Sequence, residues 1–426
     1  MVNLNIADIK ARQVIDCRGE PTVETDVFLE CGALGRASVP VGRSTSSYEA
    51  TDLRDGNSKY YFGRSVQQAV KNVNEKIAPK LIGRKASSMR ENDLTMIELD
   101  GTKDKSKLGA NAILAVSIAS AKAAANALEI PFYRFIGGEM ANVLPVPSFD
   151  MIEGGKLASS DLNFQEHQVI PVGAKSFAES LRYGDEVYHV LADIVSKKWG
   201  KYSLNVGVEG GYTPANMKDP RDAFDSLMKA VSSLGYDDIF ALGIDAAATH
   251  FYNKKKGKYN FMGKELDREE MLSLYEEIVS AYPVISIEDP LYEDDYEGFA
   301  EATRRLKIQI IGDDLFVTNT KRLAKGIKMG AGNALLLKAN QIGTLSETVD
   351  ASIMAQNNGY NVQVSERSGQ TEDTWLAHLT VATNAGQIKT GCPARGERTS
   401  QYNELLRIEE ELGTAAKYKG KASFFK

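Results

Sequence analysis

Cysteine is nearly missing from this sequence. Among 426 residues there are three, Cys17, Cys31 and Cys392. An odd, widely spaced set excludes a disulfide framework and a zinc knuckle, and a reducing compartment fits it. Basic charge is also in short supply. The formal net charge is -6, which argues against a dedicated nucleic-acid binder. It leaves room for an anionic ligand wherever local charge is positive. The segment Met1-Val2-Asn3-Leu4-Asn5 carries neither the basic stretch nor the apolar core of a secretion signal, so a cytoplasmic location is expected. A clean membrane-length apolar run is absent too. The longest apolar stretch, 108–128, is interrupted by Asn111, Lys122 and Asn126 and is rich in alanine, so a tightly packed helix is expected there. Low-complexity segments are absent. What remains is an ordinary globular balance, 43% hydrophobic and 25% charged.

The chain is long enough for one large α/β barrel plus a smaller unit. Its start reads as strand: Val23, Thr25, Val27 and Leu29 alternate with Glu24, Asp26, Phe28 and Glu30. Gly32 and Gly35 punctuate a turn before a second strand near Arg36–Val39. Residues 41–48 form a short polar loop with few packing anchors. Helical patterns follow at 64–80 and 108–128. The stretch from Gly137-Gly138 to Leu144-Pro145-Val146-Pro147 resembles a linker. We therefore expect an N-terminal α+β capping domain over 1–137 and a second domain over 138–426.

That second part has its own rhythm. Short apolar runs end, in order, at Asp245, Glu288, Asp313, Lys338, Glu366 and Lys389, spaced 25, 25, 28 and 23 residues apart from Glu288 onward. Each step fits one strand, one helix and two loops, with helical patterns such as 267–281 and 345–357 between. Continuous apolar runs suit buried parallel strands. An open doubly wound sheet could give the same pattern. A (β/α)₈ barrel is favoured because barrel active sites lie at the C-terminal strand ends, where these polar residues fall.

On that reading Asp245, Glu288 and Asp313 converge on one mouth. A single acid after a strand is ordinarily a helix N-cap. Three in strand order, followed by a lysine, point to a metal site instead. Oxygen-only ligands select a hard ion, with Mg²⁺ the default. Lys338 closes the run L-L-L-K, where burial and positive neighbours disfavour its charged form and suit it to act as a base. Upstream, Gln165 and Glu166 sit in N-F-Q-E-H, and Glu209 in V-G-V-E-G-G-Y-T-P. A general acid there would protonate a departing hydroxide. Arg367, Ser368 and Lys389 supply positive charge and donors suited to a phosphate and a carboxylate on a small anionic substrate.

These residues sit within longer matching segments. They include A-R-Q-V-I-D-C-R-G-E-P-T-V-E at 11–24, L-D-G-T-K-D-K-S-K-L-G-A-N-A-I-L at 99–114 and S-I-E-D-P-L at 286–291. Further ones are G-D-D-L-F-V-T-N at 312–319, K-A-N-Q-I-G-T-L at 338–345, A-T-N-A-G-Q-I-K-T-G at 382–391 and Y-N-E-L-L-R-I-E-E at 402–410. In content and order they resemble the enolase family over nearly the whole chain. The resemblance implies a barrel whose first turns depart from regular β/α order, two Mg²⁺ per site and a homodimer or higher oligomer. It implies Asp245, Glu288 and Asp313 on the first Mg²⁺, and Ser44 of the mobile loop 41–48 on the second. Lys338 would take the proton α to the carboxylate, and Glu209 with Glu166 would manage the leaving hydroxyl. Lys389 would bind the substrate carboxylate and Arg367 the phosphoryl group.

The departures from the family cluster in the same place. Leu157 stands where the family has a histidine in G-G-x-H, and Glu366 where it has S-H-R-S. Val208 replaces the Asp before the catalytic Glu. Asp150 and Glu153 replace two asparagines before G-G, and His250 stands where A-S-E-F would have Glu. The loop carries Val41, Arg43 and Ser46 at changed positions. Leu157 removes a polar contact, Glu366 adds negative charge, and Arg43 adds positive charge. This combination favours elimination of water from a modified 2-phosphoglycerate, such as a carboxyphosphono analogue giving a phosphoenolpyruvate-type product. In that reading Arg43 pairs with the additional carboxylate. A divergent member acting on 2-phosphoglycerate itself, and a non-catalytic binding protein on the same scaffold, are the alternatives.

Overall fold

The computed structural model describes residues 2–43 and 45–424. The chain opens with three antiparallel strands, β1 (Ile6–Ile15), β2 (Pro21–Leu29) and β3 (Leu34–Ser38), in that order across the sheet. The alanine-rich stretch forms helix α1 (Ala110–Ala127), nearly every residue of which is buried. It lies on β2 and β3, and the approach is close. A Cβ on Gly35 would fall 2.1 Å from the Ala119 carbonyl oxygen, so glycine and the small helix residues specify one another. No helix among the described residues is long and apolar enough to cross a membrane. The helical pattern at 64–80 is realised as Gln67–Asn72, a π turn Val73–Ile77, and Ala78–Leu81. The π turn runs up to Pro79, whose missing N–H interrupts the regular ladder.

Apart from two small sheets of three and two short strands, the strands that follow form one nine-segment ladder. They are β4 (Val146–Pro147), β5 (Phe149–Glu153), β6 (Glu166–Ile170), β7 (Ala241–Asp245), β8 (Val284–Glu288), β9 (Gln309–Gly312), β10 (Ala334–Leu337), β11 (Asn361–Ser365) and β12 (Gly386–Lys389). Segments β4 and β5 are consecutive about Ser148. The first pairs with β12 and the second with β6, so the ladder returns on itself as an eight-strand barrel. Strand β6 is antiparallel to both of its neighbours, β5 and β7, and from β7 to β12 and on to β4 all pairs are parallel. The first turn is thus a hairpin, followed by helices α2 (Phe177–Trp199) and α3 (Pro220–Ser233) before β7. Regular alternation then sets in with α4 (Arg268–Ala281), α5 (Tyr296–Leu306), α6 (Thr320–Met329), α7 (Leu345–Asn357), α8 (Trp375–Ala382) and α9 (Gly396–Leu412).

Local chemistry marks these helices out. Asp267 and Glu270 form a reciprocal capping box on α4. Asp295 caps α5 and Asn319 caps α6. The N-terminal unit sits over the segment after β11. Val41 and Gly369 exchange backbone hydrogen bonds of 2.9 and 2.8 Å, and the Trp375 indole donates to the Ser38 carbonyl at 3.2 Å. Lys122 pairs with Asp373.

Candidate active site

Strand direction explains which side chains meet. Asp245, Glu288 and Lys389 are the last residues of β7, β8 and β12, while Asp313, Lys338 and Glu366 follow the ends of β9, β10 and β11. Glu166 opens β6, but β6 runs the other way. Its register partner is Asp245, and Glu153 at the end of β5 pairs with Glu166. All of these therefore reach the same end of the barrel. One cleft there is lined by Leu157, Gln165, Glu166, Glu209, Asp313 and Lys338, and by Glu366, Arg367, Ser368 and Lys389.

The metal-type carboxylates are buried, each no more than 9% exposed. Two lysines share them. Lys389 Nζ donates to Glu288 Oε2 at 2.6 Å, and to Asp245 Oδ2 and Glu166 Oε1 at 3.2 Å. Lys338 Nζ donates to Asp313 Oδ2. Gln165 donates to Asp245 at 2.9 Å, and Gln341 to Asp313 at 2.7 Å. The Gln165 carbonyl oxygen is buried with no hydrogen-bond partner. This donor set of carboxylate and amide oxygens, with one oxygen unspent, fits a hard divalent cation. The tightest carboxylate groupings among the described residues are different ones, Asp150–Glu166–Glu209 and Asp289–Asp313–Asp314.

The electrostatics here are those of the protein's own groups, without cations. Burial disfavours charge on Lys338, but the carboxylates around it, Asp313 foremost, outweigh that and the ammonium is held above its ordinary value. Asp313 moves the other way: burial pushes it up and Lys338 outweighs that, leaving it lowered. A base at this position needs the charge of Asp313 taken up by another cation. Burial drives Glu288 well above the carboxylate range, with Asp245 adding to it. Burial also lifts Glu166 to about 8 against the pull of Lys389.

The residues expected to meet a phosphoryl group are placed as follows. Arg367 is 3% exposed and grips Glu49 through two bonds, 2.8 Å from Nη1 and 3.0 Å from Nη2. Ser368 Oγ accepts from the Arg43 backbone N–H at 2.7 Å. The Arg43 side chain is exposed and is not among the residues lining the cleft. Leu157 is buried beside the Glu209 loop, its carbonyl accepting from Val208 N–H at 3.2 Å. Glu366 neither orients Arg367 nor faces the mouth alone. It pairs with Arg398, which is fully buried, and accepts from Thr390 Oγ1 at 2.9 Å. Burial lifts its carboxyl to about 8 in spite of Arg398.

The loop at 41–48 is better anchored than its composition suggests. Ser46 and Ser47 both donate to Glu293, the latter at 2.8 Å. Tyr48 bonds Asp294 at 3.1 Å and stacks under Arg322 at 3.7 Å. Ser44 lies outside the described residues. Sequence reasoning missed Glu49, Asp289, Glu293 and Arg398. Asp289 was within reach, as the acid next to Glu288: it accepts from Asp313 N–H at 3.0 Å and Asp314 N–H at 2.8 Å. Arg398 closes P-A-R-G-E-R, and a buried acid at 366 demanded a partner.

Comparison with known proteins agrees with this geometry at both ends of the chain. The family sequence model described as "Enolase, N-terminal domain" matches residues 6–136, and "Enolase, C-terminal TIM barrel domain" matches 141–426. Similar proteins include the "Enolase" of Thermococcus gammatolerans, 54% identical over 420 residues, which is 98% of this chain and 97% of that protein. The "Enolase" of Methanocaldococcus jannaschii is 55% identical over 416 residues, 98% and 97% of the two chains. That of Methanopyrus kandleri is 53% identical over 424 residues, 99% of each.

Proposed function

The chain belongs to the enolase family and is a hydro-lyase of it, and from that premise we propose that it removes water from 2-phosphoglycerate to give phosphoenolpyruvate. One observation carries the reading. Lys338 follows β10 and Glu166 opens β6, four strands apart in an eight-strand barrel, so base and acid face each other across a cleft that Arg367 and Lys389 also line.

In this reading Lys338 takes the proton α to the substrate carboxylate. Glu209, next to Glu166, gives a proton to the departing hydroxyl. Lys389 holds the carboxylate, and Arg367 with Ser368 holds the phosphoryl group, for which Glu49 is the stand-in anion here. Asp245, Glu288 and Asp313 would hold Mg²⁺, with a second ion at the Ser44 loop. The metal supplies electrostatic stabilisation of the charge that grows on the substrate carboxylate. The unit 1–137 caps the barrel 138–426, and a homo-oligomer in the cytoplasm completes the picture.

A carboxyphosphono-modified substrate draws no support from relatives of plain enolase name. The residues that suggested it are otherwise engaged: Glu366 by Arg398, and Arg43 through its backbone alone. The test is a parallel assay of purified protein with Mg²⁺ on 2-phosphoglycerate and on the carboxyphosphono analogue. Turnover of 2-phosphoglycerate that is lost in excess chelator and restored by Mg²⁺ is expected. Turnover of the analogue alone would reinstate the modified substrate, and activity on neither would favour a non-catalytic scaffold.

A further inference from the structure

Behind the proposed acid lies a side chain that the reaction above does not use. Asp150 is in β5, its backbone paired with Gln168 of β6. It is completely buried, and neither carboxyl oxygen has a hydrogen-bond partner. One oxygen each from Asp150, Glu166 and Glu209 lie within 4.8 Å of one another. The groups facing Asp150 are Glu153 from its own strand, Glu166 from β6, Glu209 from the loop at 207–211, Cys392 from the segment after β12 and Tyr402 from α9. Each of these is an acid or neutral, and Arg398, the guanidinium that acts on Glu153, Glu209, Cys392 and Tyr402, is paired with Glu366. The Lys389 ammonium, which bonds the neighbouring Glu166, is shared with Asp245 and Glu288.

An ionised carboxylate with no donor and no cation bonded to it, beside two more carboxyls, is not a tenable arrangement. A neutral carboxyl is, provided its O–H finds an acceptor. The carboxyl oxygens of Glu166 and Glu209 are the ones grouped with it. We infer that Asp150 is held as the neutral acid and is a positioning residue for Glu209, its O–H hydrogen-bonding the Glu166–Glu209 pair. This rests on the reaction proposed above. When the substrate C–O bond breaks, Glu209 loses its proton to the departing oxygen and is left as a carboxylate. Asp150 keeps its own proton and stabilises that new charge by donating to it. Burial, with Glu166, Glu153 and Glu209 adding, pushes the Asp150 carboxyl well above its ordinary range. Glu153 completes the device. Its Oε1 accepts from the backbone N–H of Glu209 at 3.1 Å and of Gly211 at 2.6 Å, which fixes where Glu209 stands. A Cβ on Gly207 would lie 2.0 Å from Glu153 Oε2, so the loop turns on a glycine there. The acid this chain lacks at Val208 is thus matched by acids at Asp150 and Glu153.

Two substitutions and one spectrum test the inference. Asp150→Asn keeps an N–H donor and cannot ionise; Asp150→Leu has no donor. Asp150→Asn should keep kcat within about threefold at pH 7 and shift the basic limb of the kcat–pH profile upward. Asp150→Leu should lower kcat about ten- to hundredfold, as loss of a hydrogen bond to a charged group does, with KM little changed. An infrared difference between wild type and Asp150→Asn at pH 7 should show the C=O stretch of a neutral carboxylic acid, shifted in D₂O. The inference is overturned by a wild-type kcat in Asp150→Leu, by an unmoved basic limb in Asp150→Asn, or by the absence of that band. If wild type does not turn over 2-phosphoglycerate, the reaction itself fails and with it the part assigned to Asp150. The infrared band, which needs no activity, then still decides whether Asp150 holds its proton.

Discussion

On one side of the barrel mouth, from β7 to β10, each predicted metal-type carboxylate carries an ammonium: Asp245 and Glu288 share Lys389, and Asp313 has Lys338. On the other side, at β5 and the loop after it, Asp150 and Glu153 have no such partner. The Asp150 carboxyl has no hydrogen-bond partner, and the Glu153 carboxyl accepts only from backbone N–H groups. Both sides are buried, so desolvation is common to them and the partners make the difference. Asp313 beside Lys338 is held below its ordinary value, while burial drives Glu288 up even beside Lys389, so on this side each buried carboxylate has a cation that a metal ion could replace. A carboxylate without one keeps a proton. The first side suits metal binding and a base, and the second suits an acid.

The largest expected effect tests the charge-balanced side. Lys338→Ala should lower kcat by roughly 10²- to 10⁴-fold, the range for removing a general base. It should also stop exchange of the substrate α-proton with deuterated water. Exchange at the wild-type rate in this variant would break the assignment of the base to that side.

Arg398 is the guanidinium buried on the acid-rich side, and removing it should sharpen the contrast. At pH 9, above the point where Glu366 ionises, Arg398→Met leaves the Glu366 charge buried and unpaired, a loss of about 3–5 kcal/mol for a broken buried pair. Urea denaturation would measure it. The double variant with Glu366→Gln should regain much of the loss, because neither charge is then stranded. A double variant no more stable than Arg398→Met would remove the ion pair from the explanation.

Titration gives a smaller effect with a defined sign. The Glu366 carboxyl is raised from 4.5 to about 8 in the folded protein, so the folded state binds the extra proton. Its stabilising contribution is complete below pH 4.5 and is lost as pH rises through 8. Across that window wild type should lose stability relative to Glu366→Gln by at most about 1.4 kcal/mol per pH unit for one proton. Thermal melts at intervals from pH 5 to 9 would show it. Parallel curves would mean that Glu366 is ionised throughout.

Smallest of all should be Arg43→Ala. With its side chain exposed and only its backbone bonded to Ser368, KM for 2-phosphoglycerate should change by less than about threefold. A large loss would place the Arg43 side chain in the working site.

The two sides also differed in how far they could be read from sequence. Parallel strands announce themselves as apolar runs, and a polar residue that ends a run must lie at the mouth. That logic located Asp245, Glu288, Asp313, Lys338, Glu366 and Lys389 along the strands, and α7 to the residue. It says nothing of partners that arrive from other elements. Glu49 comes from the N-terminal unit and Arg398 from α9, and each changes the meaning of the strand-end residue it touches, Arg367 and Glu366. The antiparallel β6 brought Glu166 to the mouth from the beginning of a strand, where a rule about strand ends does not look. Charge state depends on such neighbours more than on the residue: the reading of Lys338 as a neutral base supposes cations beside it, and with Asp313 as its partner the ammonium is held above its ordinary value.

The grip of Arg367 on Glu49 has a temporal side. The two residues are 318 positions apart in the chain. At about 5–20 residues per second, translation would separate their emergence by roughly 15–60 s. The capping unit has time to fold locally long before the strand that bears Arg367 exists, while its loop at 41–48 waits without the surface it docks on. The barrel, for its part, closes only when β12 reaches β4. On the proposed reaction, phosphoryl recognition therefore comes late in synthesis, and a nascent chain halted before Arg367 would carry every predicted strand-end metal ligand with no guanidinium at that position to select what binds beside them.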